Sequence, residues 1–315
     1  MISREARGRR GRRMVIAVGL AIALAAGFPA TAGAAPADHA SPADSYLADF
    51  IAPFLGSLFN PNALPPGVNN WNCKLTRQHP EPVLLSNGTF ENAEDNWSGL
   101  APVLEKAGYC VFAANFNGPG GLFPAGLETT GSIEQTAADL ANFGNEILRR
   151  TKATKLDVVG HSQGGMNVRY WIKNLGGDGK IDKLVALAPS NYGTTFNGLL
   201  TLIDALPVPL GPLFLGTVCQ ACNEQTVGST FLTALNQGGD TVPSVRYTVI
   251  ETDKDEVVTP YDNAFLAKAR NVTNTLVQTI CPNDSSEHLG ITYDPVAQRL
   301  VLNALDPGTT KEPTC

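Results

Sequence analysis

The stretch that decides the fold is Leu156-Asp157-Val158-Val159-Gly160-His161-Ser162-Gln163-Gly164-Gly165. A short apolar run that fits a buried strand leads into a Gly-x-Ser-x-Gly motif, and a helical pattern over Gly164 to Leu175 follows at once. Such a sharp turn leaves the Ser162 hydroxyl at the strand end, where the free N–H groups and the positive dipole end of the helix point. The motif alone is common, and the alternative is a glycine-rich turn with an inert serine. In this context we expect Ser162 to be a nucleophile.

Only one histidine has a position along the chain from which it could activate Ser162. A serine hydroxyl is a weak nucleophile that needs a base, and after an elbow of this kind an acid and then a histidine follow along the chain. His39 and His79 precede the motif. His161 lies inside it, and only His288 follows it. Elimination therefore predicts that His288 accepts the Ser162 proton and later delivers it to the leaving group.

The acid that orients this base is expected after the apolar run Tyr247 to Ile250. The segment that follows carries four acidic residues, Glu251, Asp253, Asp255 and Glu256. Asp255 begins an Asp-x-Val-Val pattern whose valines would hold the loop, so it is the first choice, and Asp253 is the alternative. The expected role of the acid is to orient His288 and to stabilise its imidazolium form. The remaining acids are expected in a solvated loop.

Backbone N–H donors for a developing oxyanion are expected at two places. One is Gln163, directly after the nucleophile. The other is the loop after the early apolar run Val83 to Leu85, where Gly88 lets the backbone approach closely. Thr89 is the first choice for this second donor, and Phe90 is the alternative.

Short apolar runs alternate with helical patterns from residue 80 onward. The runs that fit buried strands are Val83–Leu85, Cys110–Ala114, Leu156–Val159, Leu184–Leu187, Tyr247–Ile250 and the weaker Thr275–Val277. The helical patterns are Trp97–Ala107, Ile133–Arg150, Gly164–Leu175 and Pro295–Leu305, and Ser132 with Gln135 fits a capping box before the second of them. This alternation predicts an α/β fold in which helices cover both faces of a parallel sheet.

The segment 191–242 breaks this alternation because it is too long for an ordinary connection. It is apolar, but its prolines and Asp204 argue against a membrane span. We expect a cap or lid inserted between two strands. The alternative is a set of plain loops and helices that cover the core.

The first 34 residues have the three parts of a secretory signal. Residues 1–13 hold six arginines and one glutamate, an uncharged apolar run covers Met14 to Phe28, and small residues follow. The apolar run is short for a membrane span, so an N-terminal anchor is the less favoured alternative. We therefore predict an extracellular protein with a signal peptide at 1–34, a linker and surface segment at 35–70, and a single domain at 71–315.

Charge and cysteine content argue against some classes of function. The formal net charge is −6 and becomes −11 without residues 1–34. This balance argues against nucleic acid as a partner, because phosphate binding needs clustered Lys and Arg. The even number of cysteines behind an export signal indicates disulfides. Cys219-Gln-Ala-Cys222 has no second such pair and no nearby histidine to complete a zinc site, so no metal is expected.

At these motifs the chain resembles the secreted α/β-hydrolase lipases, in particular the bacterial class 2 lipases and Candida antarctica lipase B. The similar stretches are Asn87-Gly88-Thr89-Phe90, Asn96-Trp97, Ala107-Gly108-Tyr109-Cys110, Ser162-Gln163-Gly164-Gly165, Asp255-x-Val-Val and His288-Leu289-Gly290. The resemblance covers roughly residues 70–305 and is weak in the insertion. It implies the α/β-hydrolase fold with a mostly parallel sheet, carboxylic esters and especially acylglycerols as substrates, and no cofactor.

The resemblance also implies roles for particular residues. The hydroxyl of Thr89 would donate to the oxyanion together with its backbone N–H. A disulfide of the family corresponds to Cys73–Cys110. We expect Cys219–Cys222 and Cys281–Cys315 to be the other pairs, although six cysteines allow other pairings.

Together these features predict a secreted carboxylic ester hydrolase, in the first place a triacylglycerol lipase that works through an acyl-enzyme. Its partners would be lipid or ester substrates, including those at a lipid–water interface, with no nucleic acid and no membrane span. The expected substrate-binding residues are Phe90, Leu199, Leu200 and Leu289. One alternative is an acyltransferase that passes the acyl group to an alcohol or sugar, which an acceptor assay would separate. Remoter alternatives are a peptidase on the same fold and a non-catalytic binding protein, which would have a damaged triad.

Overall fold

The structure, a computed structural model, describes residues 42–116, 126–207 and 219–315. The described residues belong to one structural unit that extends from Ala40 to Cys315. The expected signal peptide at 1–34 and the first part of the expected linker lie outside the described residues, as does the middle of the 191–242 insertion.

Helices and strands alternate along most of the described chain. In chain order the elements are α1 Pro42–Phe59, β1 Val83–Ser86, α2 Ala93–Trp97, α3 Leu100–Lys106, β2 Val111–Ala113, α4 Ile133–Thr151, β3 Leu156–His161, α5 Gln163–Asn174, β4 Ile181–Leu187, α6 Phe196–Ala205, α7 Gln220–Glu224, α8 Thr230–Asn236, β5 Arg246–Glu251, β6 Val272–Leu276, α9 Val277–Ile280 and α10 Pro295–Leu305. Short 3-10 helices lie at Gly177–Gly179, Tyr261–Ala264 and Gly290–Thr292.

The strands form one sheet in which every neighbouring pair is parallel. Their order across the sheet is β2-β1-β3-β4-β5-β6. The register places Ser86 beside Gly160 and His161 beside Leu187, so the carboxyl ends of β1, β3 and β4 lie along one edge. Ligand sites of open parallel sheets usually lie outside this edge. The predicted α/β fold with a parallel sheet is confirmed.

Apolar side chains cover both faces of the sheet because successive residues of a strand point to opposite sides. On one face, Leu85 and Val159 belong to a buried cluster with residues of α2, α3 and α10. On the other face, Leu84 and Val158 pack with residues of α4 and α5, among them the fully buried Trp171. The sheet is therefore an apolar layer between two layers of helices, as the apolar runs of the sequence predict.

A third buried cluster joins α1 and the helices of the insertion to loops at the carboxyl edge of the sheet. We call it the edge cluster. Its buried members are Phe50, Phe54, Phe90, Leu127, Ile133, Met166, Leu199, Leu202, Ile203, Leu206, Cys219, Ala221, Cys222, Leu232, Leu235, Val257 and Leu289. This cluster matters for function because it surrounds the loops in which the candidate site residues lie.

The helix expected over Trp97–Ala107 is instead two helices, α2 and α3. Asn92 caps α2, because its side-chain oxygen accepts hydrogen bonds from the N–H groups two and three residues later, at 2.9 and 3.2 Å. Gly99 lies between the two helices, and a Cβ on it would lie 2.6 Å from Cδ1 of Tyr293. The close approach of this backbone to Tyr293 therefore requires glycine.

The segment expected as a linker and surface segment contains α1, a helix that the sequence analysis did not predict. Phe50 and Phe54 are fully buried, and their rings stack with centroids 5.8 Å apart. Phe59, at the end of the same helix, is 91% exposed. Apolar residues thus lie at both buried and exposed positions, which leaves the segment without the clear amphipathic period by which a surface helix is recognised.

The described part of the insertion carries α6, α7 and α8, between β4 and β5. The last strand is also displaced from its expected position, since β6 ends at Leu276 and Val277 begins α9. The structure has three disulfides, Cys73–Cys110, Cys219–Cys222 and Cys281–Cys315. These are the pairs expected from the resemblance and from the count of cysteines.

Candidate active site

Ser162 lies in the turn between β3 and α5. Its φ is +52° and its ψ is −125°, a combination that residues other than glycine rarely adopt. The turn packs tightly against β1, because a Cβ on Gly164 would lie 2.0 Å from the carbonyl oxygen of Ser86. A Cβ on Gly160 would lie 2.7 Å from the carbonyl carbon of Gly164. The glycines of the motif are thus required by contacts, and the serine stands at the N-terminus of a 12-residue helix.

His288 and Asp255 come together from two different loops. Nδ1 of His288 lies 2.8 Å from Oδ2 of Asp255. The other carboxylate oxygen, Oδ1, accepts hydrogen bonds from the backbone N–H groups of Val257 at 2.8 Å and Val258 at 2.7 Å. The Asp-x-Val-Val pattern therefore orients the carboxylate through backbone donors as well as through its buried valines. Asp253, the alternative acid, lies at the surface in an ion pair with the adjacent lysine.

The charges around His288 favour its protonated form. Burial alone would lower the pKa of His288, but Asp255, through its charge and its hydrogen bond, and the charges of Glu256 and Glu91 outweigh burial and raise the pKa to about 9. Nε2 of His288 is buried and has no hydrogen-bond partner among the described residues. Asp255 therefore holds one nitrogen of the ring, whereas the other forms no hydrogen bond within the described chain, and this includes the hydroxyl of Ser162.

Glu251, the last residue of β5, is fully buried, although it was expected in a solvated loop. Its Oε1 accepts a hydrogen bond from the Thr252 N–H at 2.9 Å. Burial, and after it the charge of Asp255, raises the pKa of Glu251 well above its usual range. The expectation failed because β5 extends one residue further than the apolar run, which carries this carboxyl into the interior.

The Thr89 side chain is hydrogen-bonded directly to Gln163, the residue after Ser162. Oγ1 of Thr89 donates to Oε1 of Gln163 at 2.6 Å, and both side chains are buried. The N–H of Phe90, the alternative donor, instead donates to the carbonyl oxygen of Glu128 at 3.0 Å. Thr89 and Gln163 are thus brought together beside Ser162, whereas the Phe90 N–H is used to hold the loop.

Gln225, directly after α7, completes this hydrogen-bond network. Its Nε2 donates to Oγ1 of Thr89 at 2.7 Å, and its Oε1 accepts from Oγ of Ser190 at 2.8 Å. The side chain is 2% exposed, so these bonds form away from water. The sequence analysis missed Gln225 because it lies 136 residues from Thr89 in an insertion without a recognisable motif. Its position depends on α7, whose N-terminus carries the Cys219–Cys222 disulfide.

The expected substrate-binding residues all lie in or against the edge cluster. Phe90, Leu199 and Leu289 are buried members, and the half-buried Leu200 packs against them. Ser162 itself is 3% exposed and His288 is 1% exposed. The structure therefore brings the four apolar residues together in or against one buried cluster, and Ser162 and His288 are closed to solvent.

Within the three described ranges, no group of three or more His, Cys, Asp or Glu side chains is positioned to hold a metal ion. In the same part of the chain, no helix combines the length and the apolar character that a bilayer crossing requires.

The sequence is similar to that of known lipases. A family model described as the alpha/beta hydrolase fold matches residues 81–231. A triacylglycerol lipase of Pseudarthrobacter phenanthrenivorans is 35% identical over 94 residues, which are 28% of this chain and 27% of that protein. Lipase B of Pseudozyma antarctica is 28% identical over 212 residues, which are 64% of this chain and 54% of that protein. The chain thus spans about a quarter of the first relative and about half of the second.

A crystal structure of Aspergillus fumigatus lipase B has a similar fold, with a TM-score of 0.60 and 20% sequence identity. The match covers 82% of this chain and 58% of that chain. This chain has the α/β-hydrolase fold, and the predicted resemblance to the lipases is confirmed.

Proposed function

We propose that this protein is a serine carboxylic ester hydrolase in which Ser162, His288 and Asp255 act as a catalytic triad. The observation that carries the proposal is the hydrogen bonding of the two ring nitrogens of His288. Its Nδ1 is bonded to a carboxylate that two backbone donors orient, while its Nε2 is buried and has no hydrogen-bond partner among the described residues. Once the imidazole is neutral, which its pKa of about 9 places in alkaline solution, this nitrogen can take a proton from the serine hydroxyl.

In the first half of the reaction, Oγ of Ser162 attacks the ester carbonyl carbon while Nε2 of His288 accepts the hydroxyl proton. The carbonyl oxygen becomes an oxyanion, which the N–H of Gln163 and the N–H and hydroxyl of Thr89 stabilise. The carbon–oxygen bond of the ester then breaks, and the leaving oxygen takes this proton from Nε2 of His288 and departs as the alcohol. The product on the enzyme is an ester between the acyl group and Ser162.

In the second half, water attacks the acyl-enzyme. Nε2 of His288 accepts a proton from this water, and the same two residues stabilise the second oxyanion. Collapse of the intermediate returns the proton to Oγ of Ser162 and releases the carboxylic acid. Asp255 orients His288 and stabilises the imidazolium of each step.

Replacement of the nucleophile tests this assignment. Ser162→Ala is expected to abolish hydrolysis of p-nitrophenyl esters and to leave the circular dichroism spectrum and the melting temperature close to those of the wild type. Ser244→Ala, at an exposed serine that has no part in the proposed reaction, is the matched control and should retain full activity. Hydrolysis by Ser162→Ala at the wild-type rate would refute the proposal.

We further propose that the substrates are lipid esters, as in a triacylglycerol lipase, and that the insertion 191–242 acts as a cap over the site. Two observations support this. The described helices of the insertion supply apolar side chains, such as Leu199 and Ile203, to the edge cluster. Ser162 is almost fully buried, so a substrate reaches it only when part of its cover moves.

A chain-length series tests the lipid proposal. Rates with p-nitrophenyl acetate, butyrate, decanoate and palmitate should rise towards the longer chains, and a triolein emulsion should be hydrolysed. A clear preference for acetate, without activity on triolein, would exclude a lipase while leaving Ser162 as the nucleophile of an esterase. For the cap, Leu199→Ser should lower the rate with decanoate more than the rate with acetate, because it removes apolar surface from the edge cluster.

We also propose that the protein is secreted. The three disulfides support this location, because such bonds persist in oxidising compartments. The signal-like segment at 1–34 leads us to expect an exported protein that begins near Ala34 or Ala35. N-terminal sequencing of the protein from the culture medium tests the cleavage, and a full-length protein that stays with the cells would contradict it.

A further inference from the structure

The proposed reaction does not use His161, although its imidazole lies next to Ser162 and is fully buried. Nδ1 of His161 lies 2.7 Å from Oε2 of Glu91, and Nε2 lies 2.9 Å from the backbone carbonyl oxygen of His288. The rings of His161 and His288 are 5.0 Å apart between centroids. His161 is thus in contact with the polypeptide backbone that carries the proposed base.

Each of the two contacts of His161 needs a proton between the nitrogen and the oxygen. A carboxylate oxygen and a carbonyl oxygen are both acceptors, whereas a neutral imidazole has a single N–H to donate. The Asn96 amide nitrogen also lies 3.0 Å from Nδ1, but an oxygen of Glu91 at 2.7 Å requires a proton between the two atoms. A proton on Nε2 satisfies the carbonyl contact and a proton between Nδ1 and Glu91 satisfies the other, and the pair is shielded from water because Glu91 is 1% exposed.

The same carboxylate also binds the loop on the opposite side of the site. The N–H of Gly88, which directly precedes Thr89, donates to Oε2 of Glu91 at 3.1 Å and also to Oδ1 of Asn96 at 2.9 Å. A continuous path of hydrogen bonds therefore runs from the Thr89 loop through Glu91 and His161 to the backbone of His288. Ser162 directly follows His161 in the chain.

We propose that Glu91 and His161 form a buried positioning pair that holds the oxyanion loop and the backbone of His288 in register with Ser162. The inference rests on the proposed function of these three parts. The pair acts through their positions and takes no part in proton transfer to the substrate. Two further titratable groups lie against it, the buried Asp95, whose pKa is raised by burial and by the charge of Glu91, and Tyr293.

Two pairs of variants separate the contacts of this bridge. In His161→Asn the side-chain amide ends near the position of Nδ1, so the bond to His288 is lost, whereas the longer side chain of His161→Gln reaches towards the carbonyl oxygen. Glu91→Ala removes the bridge, whereas Glu91→Gln can accept from Gly88 and donate to Nδ1 without any charge. We expect His161→Asn and Glu91→Ala to lower kcat for p-nitrophenyl butyrate by about 100-fold with an unchanged KM, because displacement of a catalytic group by about 1 Å has an effect of this size. His161→Gln and Glu91→Gln should recover most of the loss.

Asp157→Asn is the matched control. Asp157 lies four residues before His161 on β3 and forms a buried ion pair with Lys183 at 2.8 Å. At about 3.3 Å per residue it is roughly 13 Å from His161 along the strand. This variant should lower the melting temperature and retain the wild-type kcat at a temperature well below the transition.

The outcomes distinguish this inference from the proposed function. If Ser162→Ala is inactive but His161→Asn keeps the wild-type kcat, the positioning pair is refuted and the triad stands. A loss in His161→Asn that appears in KM, or that the conservative variants do not restore, refutes it as well. If His161→Asn does not fold, the decision rests on nitrogen NMR of the wild-type protein with labelled histidine, assigned with His161→Gln. A proton on Nε2 of His161 that is hydrogen-bonded to the His288 carbonyl supports the bridge, and a ring without a proton on Nε2 overturns it.

Discussion

The Thr89 hydroxyl offers a sharp test of the oxyanion site, because valine has nearly the same shape as threonine but cannot donate a hydrogen bond. Thr89→Val leaves both backbone N–H donors, those of Thr89 and Gln163, in place. Thr89→Ser keeps the hydroxyl and loses only a methyl group. The two variants therefore separate the contribution of the hydroxyl from the contribution of packing.

The size of the effect follows from the contacts of the hydroxyl. One oxyanion donor contributes about 3 kcal/mol to stabilisation of the transition state. In the structure the Thr89 hydroxyl donates to Oε1 of Gln163 at 2.6 Å, and this bond, of about 1 kcal/mol, has to break before the hydroxyl can turn to the substrate. The difference of about 2 kcal/mol corresponds to a decrease of roughly 30-fold in kcat for Thr89→Val.

The stability of Thr89→Val should change little. Nε2 of Gln225 already donates to Oε1 of Gln163 at 3.3 Å, and this bond remains when the hydroxyl is removed. We expect a loss of about 1 kcal/mol in the free energy of unfolding, measured with urea.

The assay is the steady-state hydrolysis of p-nitrophenyl butyrate by the wild type, Thr89→Ser and Thr89→Val at one pH. Thr89→Ser should remain within about threefold of the wild type, since its hydroxyl still donates to the oxyanion. A kcat of Thr89→Val within twofold of the wild type would refute the role of the hydroxyl. An equal fall in both variants would show that the methyl group, and thus the packing of the loop, is responsible.

Three further predictions concern the acid, the base and the helix α1. Asp255→Asn should lower kcat by roughly 10⁴-fold, because the histidine loses the partner that selects its tautomer, whereas Asp253→Asn should behave like the wild type in the same ester assay. The kcat/KM measured by pH-stat should rise between pH 6 and 10.5 with a midpoint near 9. The imidazolium of His288 cannot accept a proton, and it becomes neutral imidazole only as the pH passes through that value. A midpoint at or below 6.5 would contradict the arrangement of charges around His288. In urea titrations, Phe50→Ala should lower the free energy of unfolding by about 3–5 kcal/mol, because its ring is fully buried. Phe59→Ala should lower it by less than about 0.5 kcal/mol, because Phe59 is 91% exposed. Equal effects of the two variants would mean that α1 does not pack as described.

Much of the fold and part of the site could be predicted because the relevant signals are local in the chain. The run 156–165 contains a strand, a turn that needs glycine and a helix start, and the contacts of Gly164 show why this order of residues is required. His288 could be selected because every other histidine precedes or belongs to the motif. The capping residue Asn92 was missed because a second helix follows so closely that the two patterns merge.

The sequence by itself determined the α/β class, the candidate nucleophile and the candidate base, because periodicity and turn chemistry act between residues that are close in the chain. Only the tertiary structure shows which of four acids within six residues contacts His288, namely Asp255 and not Asp253. Tertiary packing alone also joins Gln225 to Thr89 across 136 residues, and Glu91 to His161 across 70. These contacts depend on how the insertion and the loops fold over the carboxyl edge of the sheet, and no pattern of neighbouring residues records that arrangement.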